Sequence, residues 1–276
     1  ERLRPTKGIH IVVDSKQLWV NNAVVCFHPK DGRVLFAIPW GDRTYIGTTD
    51  TDFEGDPGEV AATKEDIVYL LEASNSYFPN AKLTEDDVIS TWAGVRPLIA
   101  EGAGDESSVS REHDVRVRMD GLITIAGGKL TTYRRMAAEV VGEAIGWLRV
   151  TNKLPKISKN TGTDIEPLPG AIGWPDDDDH NKIAEQIKAK SKGKISQESA
   201  NLLANTYGMC GIDIADLVAE DPELGTLLVE GRPEILAQVH YAVHKEFAVS
   251  IRDILIRRTQ IFFRNQEQGL ACLPVV

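Results

Sequence analysis

Cysteine is scarce: the 276 residues hold three, Cys26, Cys210 and Cys272, far apart and without Cys-x-x-Cys spacing. Such a set supports neither a disulfide framework nor a tetrahedral zinc site, and it fits a reducing compartment. Long hydrophobic runs are missing as well. No apolar stretch reaches the roughly 18 residues of a membrane-spanning helix, although the chain remains free to lie on a membrane surface. Basic charge is in deficit, with 31 Lys and Arg against 41 Asp and Glu and a formal net charge of −10. A general nucleic-acid binder needs a basic face, so that class is excluded and any anion site must be local. There is no internal repeat. The chain opens on Glu1, with neither an initiating methionine nor the apolar core of a signal peptide, and a missing N-terminal part is the expectation.

What is present suits a globular protein with room for two domains: 42% hydrophobic and 26% charged residues. Residues 8–13, 23–28, 33–38 and 44–49 read as extended runs, with Asp31-Gly32 and Gly41-Asp42 as turns between them, the pattern of an antiparallel meander. Thr63 and Asp66 resemble a helix cap, and Ile67, Leu70, Leu71 and Phe78 follow at helical spacing until Pro79. Residues 88–95, 114–119 and 122–126 read as further strands. A glycine turn follows, then a helix over 133–147 with Met136, Ala137, Val140, Val141 and Ala144 along one face. Periodicity dissolves over 149–169, an inter-domain linker. The remainder predicts helices alone, over 183–190, 197–207, 212–218, 233–247 and 250–263. Adjacent carboxylates rarely converge on a metal, so the Asp run at 176–179 reads as a solvated loop.

Three features carry candidate chemistry. Gly127-Gly128-Lys129 lies between a strand and a helix, where backbone N–H groups and the helix dipole can face a cofactor; the alternative is a tight connection without a ligand. Arg96, just before Pro97, and Arg111 at the start of the next strand would together bind a phosphate or carboxylate bidentately, whereas singly each reads as a surface ion-pair partner. His10 sits inside an apolar strand, as a proton acceptor or as a satisfied core histidine.

Side by side, these segments resemble the middle and C-terminal parts of FAD-dependent glycerol-3-phosphate dehydrogenases, glutathione-reductase-like flavoproteins related to D-amino acid oxidase. The resemblance rests on residues 7–13, 37–40, 45–50 with Gly55-Asp56-Pro57, 92–98, Ser110-Arg111 and 125–134, and continues through Thr206-Tyr207-Gly208 and 253–259. It implies an α+β protein: an antiparallel-sheet substrate domain (1–119), the C-terminal piece of an FAD domain (120–150), a linker (151–169) and an all-α C-terminal domain (170–276). It implies oxidation of sn-glycerol 3-phosphate to dihydroxyacetone phosphate, with FAD as cofactor, a membrane quinone as electron acceptor, and a peripheral position on the cytoplasmic membrane; it allows a homodimer. Arg96 and Arg111 would hold the phosphate. Lys129 would lie beside flavin and substrate, and Gly127, Gly128, Lys129, Leu130 and Thr131 would contact the flavin. His10 would be the general base, with Lys129 as its rival. The family's N-terminal Gly-x-Gly-x-x-Gly turn does not occur in these residues, so the fragment alone is expected to bind FAD poorly and to be inactive.

Two rivals remain. Related oxidases pass electrons to oxygen and carry a long insertion after the Arg-Pro-Leu motif, where this chain has only 100–109 before Ser110. A non-catalytic interaction module built on the helical half is the other. Membrane contact would fall to Arg149, Lys153, Lys156 and Lys159, or to the basic apolar stretch 251–264.

Overall fold

The computed structural model describes residues 3–99, 112–151 and 162–276. These divide into two compact units, Glu1–Thr161 and Gly162–Val276.

The first unit is built on one long strand, β1 (Leu3–Asp14). Along one side it pairs antiparallel with β6 (Val88–Ile99). Along the other it pairs with β4 (Arg43–Gly47) and, nearer its start, with β5 (Thr51–Asp52). The meander continues outward from β4 to β3 (Val34–Trp40) and β2 (Val24–Phe27), giving a six-stranded antiparallel sheet. Among the described residues β6 pairs on one side only, so the missing N–H of Pro97 breaks no second ladder there.

One face of this sheet is covered by α1 (Lys64–Tyr77). Thr63 and Asp66 form a reciprocal capping box, and the Asp66 carboxylate also accepts a 2.5 Å bond from Lys7 Nζ, tying the start of the helix to β1. Leu70, Leu71 and Ala73 then pack onto Ile9, Ile11, Val13, Leu35, Ala37 and Ile46, a dry core beneath the helix.

A second, two-stranded sheet joins β7 (His113–Val117) to β8 (Ile123–Gly127). It is followed by a 3₁₀ turn and α2 (Tyr133–Val150). Met136 and Trp147 lie against the hairpin glycines Gly128 and Gly121. The apolar stripe expected of α2 is present, yet none of its residues is buried: the described residues cover only part of its circumference.

The second unit is helical: α3 (His180–Lys190), α4 (Gln197–Tyr207), α5 (Gly211–Glu220), α6 (Leu236–Lys245) and a short α7 (Ile261–Arg264). Ile183, Ile187, Leu203, Ile214 and Ile235 form its core. Two expected helices differ. The one placed over 233–247 begins only at Leu236, because Ile235 bridges Leu227 in extended form and the Leu236 N–H donates to the Thr226 carbonyl. The one placed over 250–263 is interrupted: Asp253–Arg258 widens into a π-helical turn, and Gln260 adopts a left-handed φ of 61° before α7. The Asp run is spent locally. Asp177 pairs with Lys182, Asp178 accepts from Trp174, and Asp179 caps α3.

Leu70 is fully buried beneath the sheet. Leu70→Ala should therefore cost about 2–5 kcal/mol in a denaturant titration, and a loss under about 1 kcal/mol would mean that α1 does not bear on the sheet as described.

Candidate active site on the open face of the sheet

Side chains alternate across a strand, so burial of Ile9, Ile11 and Val13 under α1 sends Gly8 and His10 to the opposite face. The ladder places Phe36, Gly47, His10 and Trp92 in one cross-strand row. Beside it lie Ile38, Tyr45, Val12 and Ser90. Toward the start of β1 the next paired positions are Gly8 with Gly94, then Thr6 with Arg96.

Glycine at three of these positions makes the site. A Cβ on Gly47 would lie 2.2 Å from the His10 ring, and one on Gly8 would lie 2.2 Å from the Arg96 guanidinium. Both side chains thus lie flat on bare backbone. A Cβ on Gly94 would meet nothing within 4 Å, so its position adjoins open space between the His10–Trp92 pair and Arg96. The result is a stretch of bare main chain between the two side chains.

His10 is held by rings. Trp92 stacks on it with centroids 4.8 Å apart, Tyr45 meets it edge-on at 5.9 Å, and Trp40 braces both Tyr45 and Trp92. Its Nδ1 is buried and has no hydrogen-bond partner among the described residues. Protonation would give the ring two N–H donors and leave one of them stranded. Burial first, and the Arg96 charge second, lower the pKa of His10 from 6.5 to about 4. At neutral pH the ring is an uncharged imidazole, able to accept a proton but weakly basic.

Arg96 is anchored from the segment after β4. Nη1 lies 3.2 Å from Asp50 Oδ1, and Nη2 donates to Thr48 Oγ1 (2.8 Å) and to the Thr49 carbonyl (3.3 Å). Arg33 in turn donates to the Asp50 carbonyl. Only about a quarter of the Arg96 side chain is exposed (27%), so this is a fixed, partly desolvated fork. Such a fork recognises a phosphate or carboxylate far better than a freely solvated one.

The glycine turn closes the far side of the unit. Gly127 and Gly128 have φ of 73° and 83°, conformations that other residues seldom adopt. A Cβ on Gly127 would approach Ile99 Cδ1 at 3.1 Å, which sets the turn against the end of β6, three residues beyond Arg96. Neither the 3₁₀ turn at Leu130 nor α2 has a side-chain cap. The chemistry of residues 127–131 thus fits the oxygen-rich edge of a flavin, which takes N–H donors and a cation. Lys129 and Leu130 are exposed.

The structure brings His10 and Arg96 together and sets Gly127 and Gly128 beside the same strand end, while Arg111 lies outside the described residues. Sequence reasoning missed Asp50, Thr48 and Trp92 as supports, although all three lie in segments that it singled out. The signal was the glycine pattern: Gly8, Gly47 and Gly94 interrupt strands where β-branched residues are the norm. In the helical unit, Thr206, Tyr207 and Gly208 line a cavity of about 480 Å³ together with Trp174, Tyr241 and Glu246. Arg258 reaches Glu246 from the second helical motif.

Both parts of the chain match families of known proteins. Residues 1–144 match the family described as FAD dependent oxidoreductase, and residues 161–276 match the C-terminal domain of alpha-glycerophosphate oxidase. The aerobic glycerol-3-phosphate dehydrogenase of Staphylococcus haemolyticus is 34% identical over 270 residues, 97% of this chain and 47% of that protein. The glycerol-3-phosphate dehydrogenase of Mycobacterium leprae is 35% identical over 273 residues, 98% of this chain and 44% of that protein. Among solved structures, the glycerol-3-phosphate dehydrogenase of Bacillus halodurans complexed with FAD aligns with a TM-score of 0.77 at 32% identity, covering 96% of this chain and 50% of that one. The chain spans about half the length of the relatives it matches.

The depressed His10 pKa sets a pH window. Between 6.5 and about 4 the unfolded chain binds a proton that the folded chain does not, so stability falls as pH drops through that interval and levels off on either side. His10→Gln should flatten this component. Denaturant midpoints at about pH 4.5 and 7 test the linkage, and an equal loss in both proteins would contradict it.

Proposed function

The chain belongs to the FAD-dependent oxidoreductase family, and from that premise we propose that it supplies the substrate-binding sheet and helical domain of an enzyme oxidising sn-glycerol 3-phosphate to dihydroxyacetone phosphate. The observation that carries this reading is the fixed Arg96 fork, laid over Gly8, on the same face of the sheet as an uncharged histidine, with the bare backbone of Gly94 between them. A small phosphorylated alcohol needs those parts: an anion clamp at one end and a proton acceptor at the other.

In this reading Arg96 takes the phosphate, with Arg111 as a second donor. FAD, when bound, supplies the acceptor for the hydride leaving C2. His10 receives the C2 hydroxyl proton at Nε2, because its other ring nitrogen is shut away. Its low basicity means that the proton is held only in passing and returned to solvent. Lys129, at the mouth of the glycine turn, orients the substrate hydroxyl and is the alternative proton acceptor. The backbone of residues 127–131 would hold the oxygen-rich edge of the flavin. Trp92 and Tyr45 pack against the imidazole and hold its plane.

The curated relatives are named dehydrogenases, which favours a membrane quinone over oxygen as the electron acceptor. Peripheral membrane contact would follow. Of the two stretches considered for it, Lys153, Lys156 and Lys159 lie outside the described residues. The stretch 251–264 spends Ile254, Leu255 and Ile261 on the helical core. The exposed apolar residues are instead Phe247 (89%), Val249 (92%) and Ile251, with Lys245 and Arg252 alongside. That combination suits insertion into the headgroup region of an anionic bilayer. No helix of the described residues is long and apolar enough to cross a membrane.

Two tests follow. In the flavin-loaded full-length enzyme, Arg96→Ala should raise KM for glycerol 3-phosphate with flavin still bound, lowering kcat/KM roughly 10- to 100-fold; an unchanged KM removes Arg96 from the phosphate site. His10→Ala should slow flavin reduction, and wild-type speed would pass the role to Lys129 or water. Replacing Phe247 and Val249 by Ser should reduce sedimentation with anionic vesicles, and undiminished binding would place the membrane surface elsewhere.

A further inference from the structure

We propose that Arg96 is also a relay: an anion bound to it sets the charge state of His10, so that an anionic ligand arms the histidine and a neutral ligand of the same shape does not. This rests on Arg96 being the anion ligand and extends that reading to how the site tells a phosphate ester from a free alcohol.

The geometry leaves His10 with one influential charged neighbour. On β1 the adjacent charge, Lys7, belongs to the opposite face, where it is paired with Asp66. From β4 the facing group is Tyr45, uncharged at neutral pH, with burial raising its pKa. From β3 the row contributes Phe36, and from β6 it contributes Trp92 and Arg96. Asp50 stands behind Arg96 and meets it at Nη1. Among the described residues, then, the charge that bears on the imidazole is that of Arg96, folded back over Gly8 because that residue has no side chain. With Asp50 already in place the Arg96 charge still disfavours the imidazolium.

A dianion seated against the fork over Gly94 reverses that sign. It brings two negative charges where Asp50 brings one, against a guanidinium only about a quarter exposed, where the field is screened less than in open water. The imidazolium then gains a favourable neighbour, and the ring binds a proton more readily. For catalysis this places the stronger base only in the complex with a phosphate ester. An unphosphorylated alcohol, which brings no charge to add to that of Asp50, meets the weak base of the free site. Rejection of the free alcohol then has a kinetic part beyond the loss of binding.

Linkage makes this measurable without turnover: if an anion promotes protonation of His10, protonation of His10 promotes anion binding by the same factor. Sulfate is the probe, because it stays doubly charged over the whole range and any pH slope belongs to the protein. Calorimetric titration of the holoenzyme should find sulfate about tenfold tighter at pH 5 than at pH 7.5. His10→Gln should flatten that difference, and Arg96→Gln should abolish binding. Should His10→Gln fold poorly, the wild type suffices: the ¹³C-labelled His10 ring should titrate at higher pH with saturating sulfate and unchanged with glycerol. The same slope in wild type and His10→Gln, or a ring titration indifferent to sulfate, would overturn the relay and leave Arg96 as a plain anion ligand. If sulfate fails to bind the wild type, the assignment of Arg96 itself falls, and the relay with it.

Discussion

Burial of Ile9, Ile11 and Val13 against α1 fixes the register of β1, and the whole site depends on that register. A strand buried on one face cannot slip by one residue without turning its apolar set to solvent. With β1 pinned, Gly8 and His10 are committed to the open face, and the ladders to β4 and β6 bring Gly47, Trp92 and Gly94 to the same patch. The core under α1 and the chemistry above it are thus two faces of one strand. The Lys7–Asp66 bond and the capping box reinforce the link by fastening the start of the helix to that strand.

Much of this was legible in the sequence, for reasons that differ between elements. The meander could be read because turn dipeptides separate β-rich runs, and α1 because its cap and apolar spacing agree. Helix breaks in the second unit were hidden: Gln260 takes a left-handed φ for which its residue type gives no warning. The strand β5 is two residues long, too short for any period to show. The apolar stripe of α2 was read correctly as a pattern, but burial depends on what lies opposite, and the described residues do not cover it.

The site was legible in part and for a different reason. His10 and Arg96 stood out as polar groups in strand contexts that ask for an explanation. Their supports did not, because Asp50 and Thr48 lie more than 40 positions from Arg96 and meet it only through the ladder. The basicity of His10 was not legible either, because the burial and the Arg96 charge that make it a weak base come from the fold. That low basicity matters for mechanism. A base uncharged at neutral pH is ready to accept a proton, and what then limits it is how well the transferred charge is stabilised. The overall charge of −10 plays a separate part. It repels polyanions in general, while the proposed site needs only one anchored guanidinium for a single small anion.

The central claim is that the open face of the sheet selects a phosphorylated alcohol for oxidation. Anaerobic mixing of the flavin-loaded full-length enzyme with sn-glycerol 3-phosphate or with glycerol tests it most directly. The account predicts loss of the oxidised flavin absorbance with the phosphate ester alone. Equal bleaching by glycerol, or a flavin left oxidised by the ester, would contradict it.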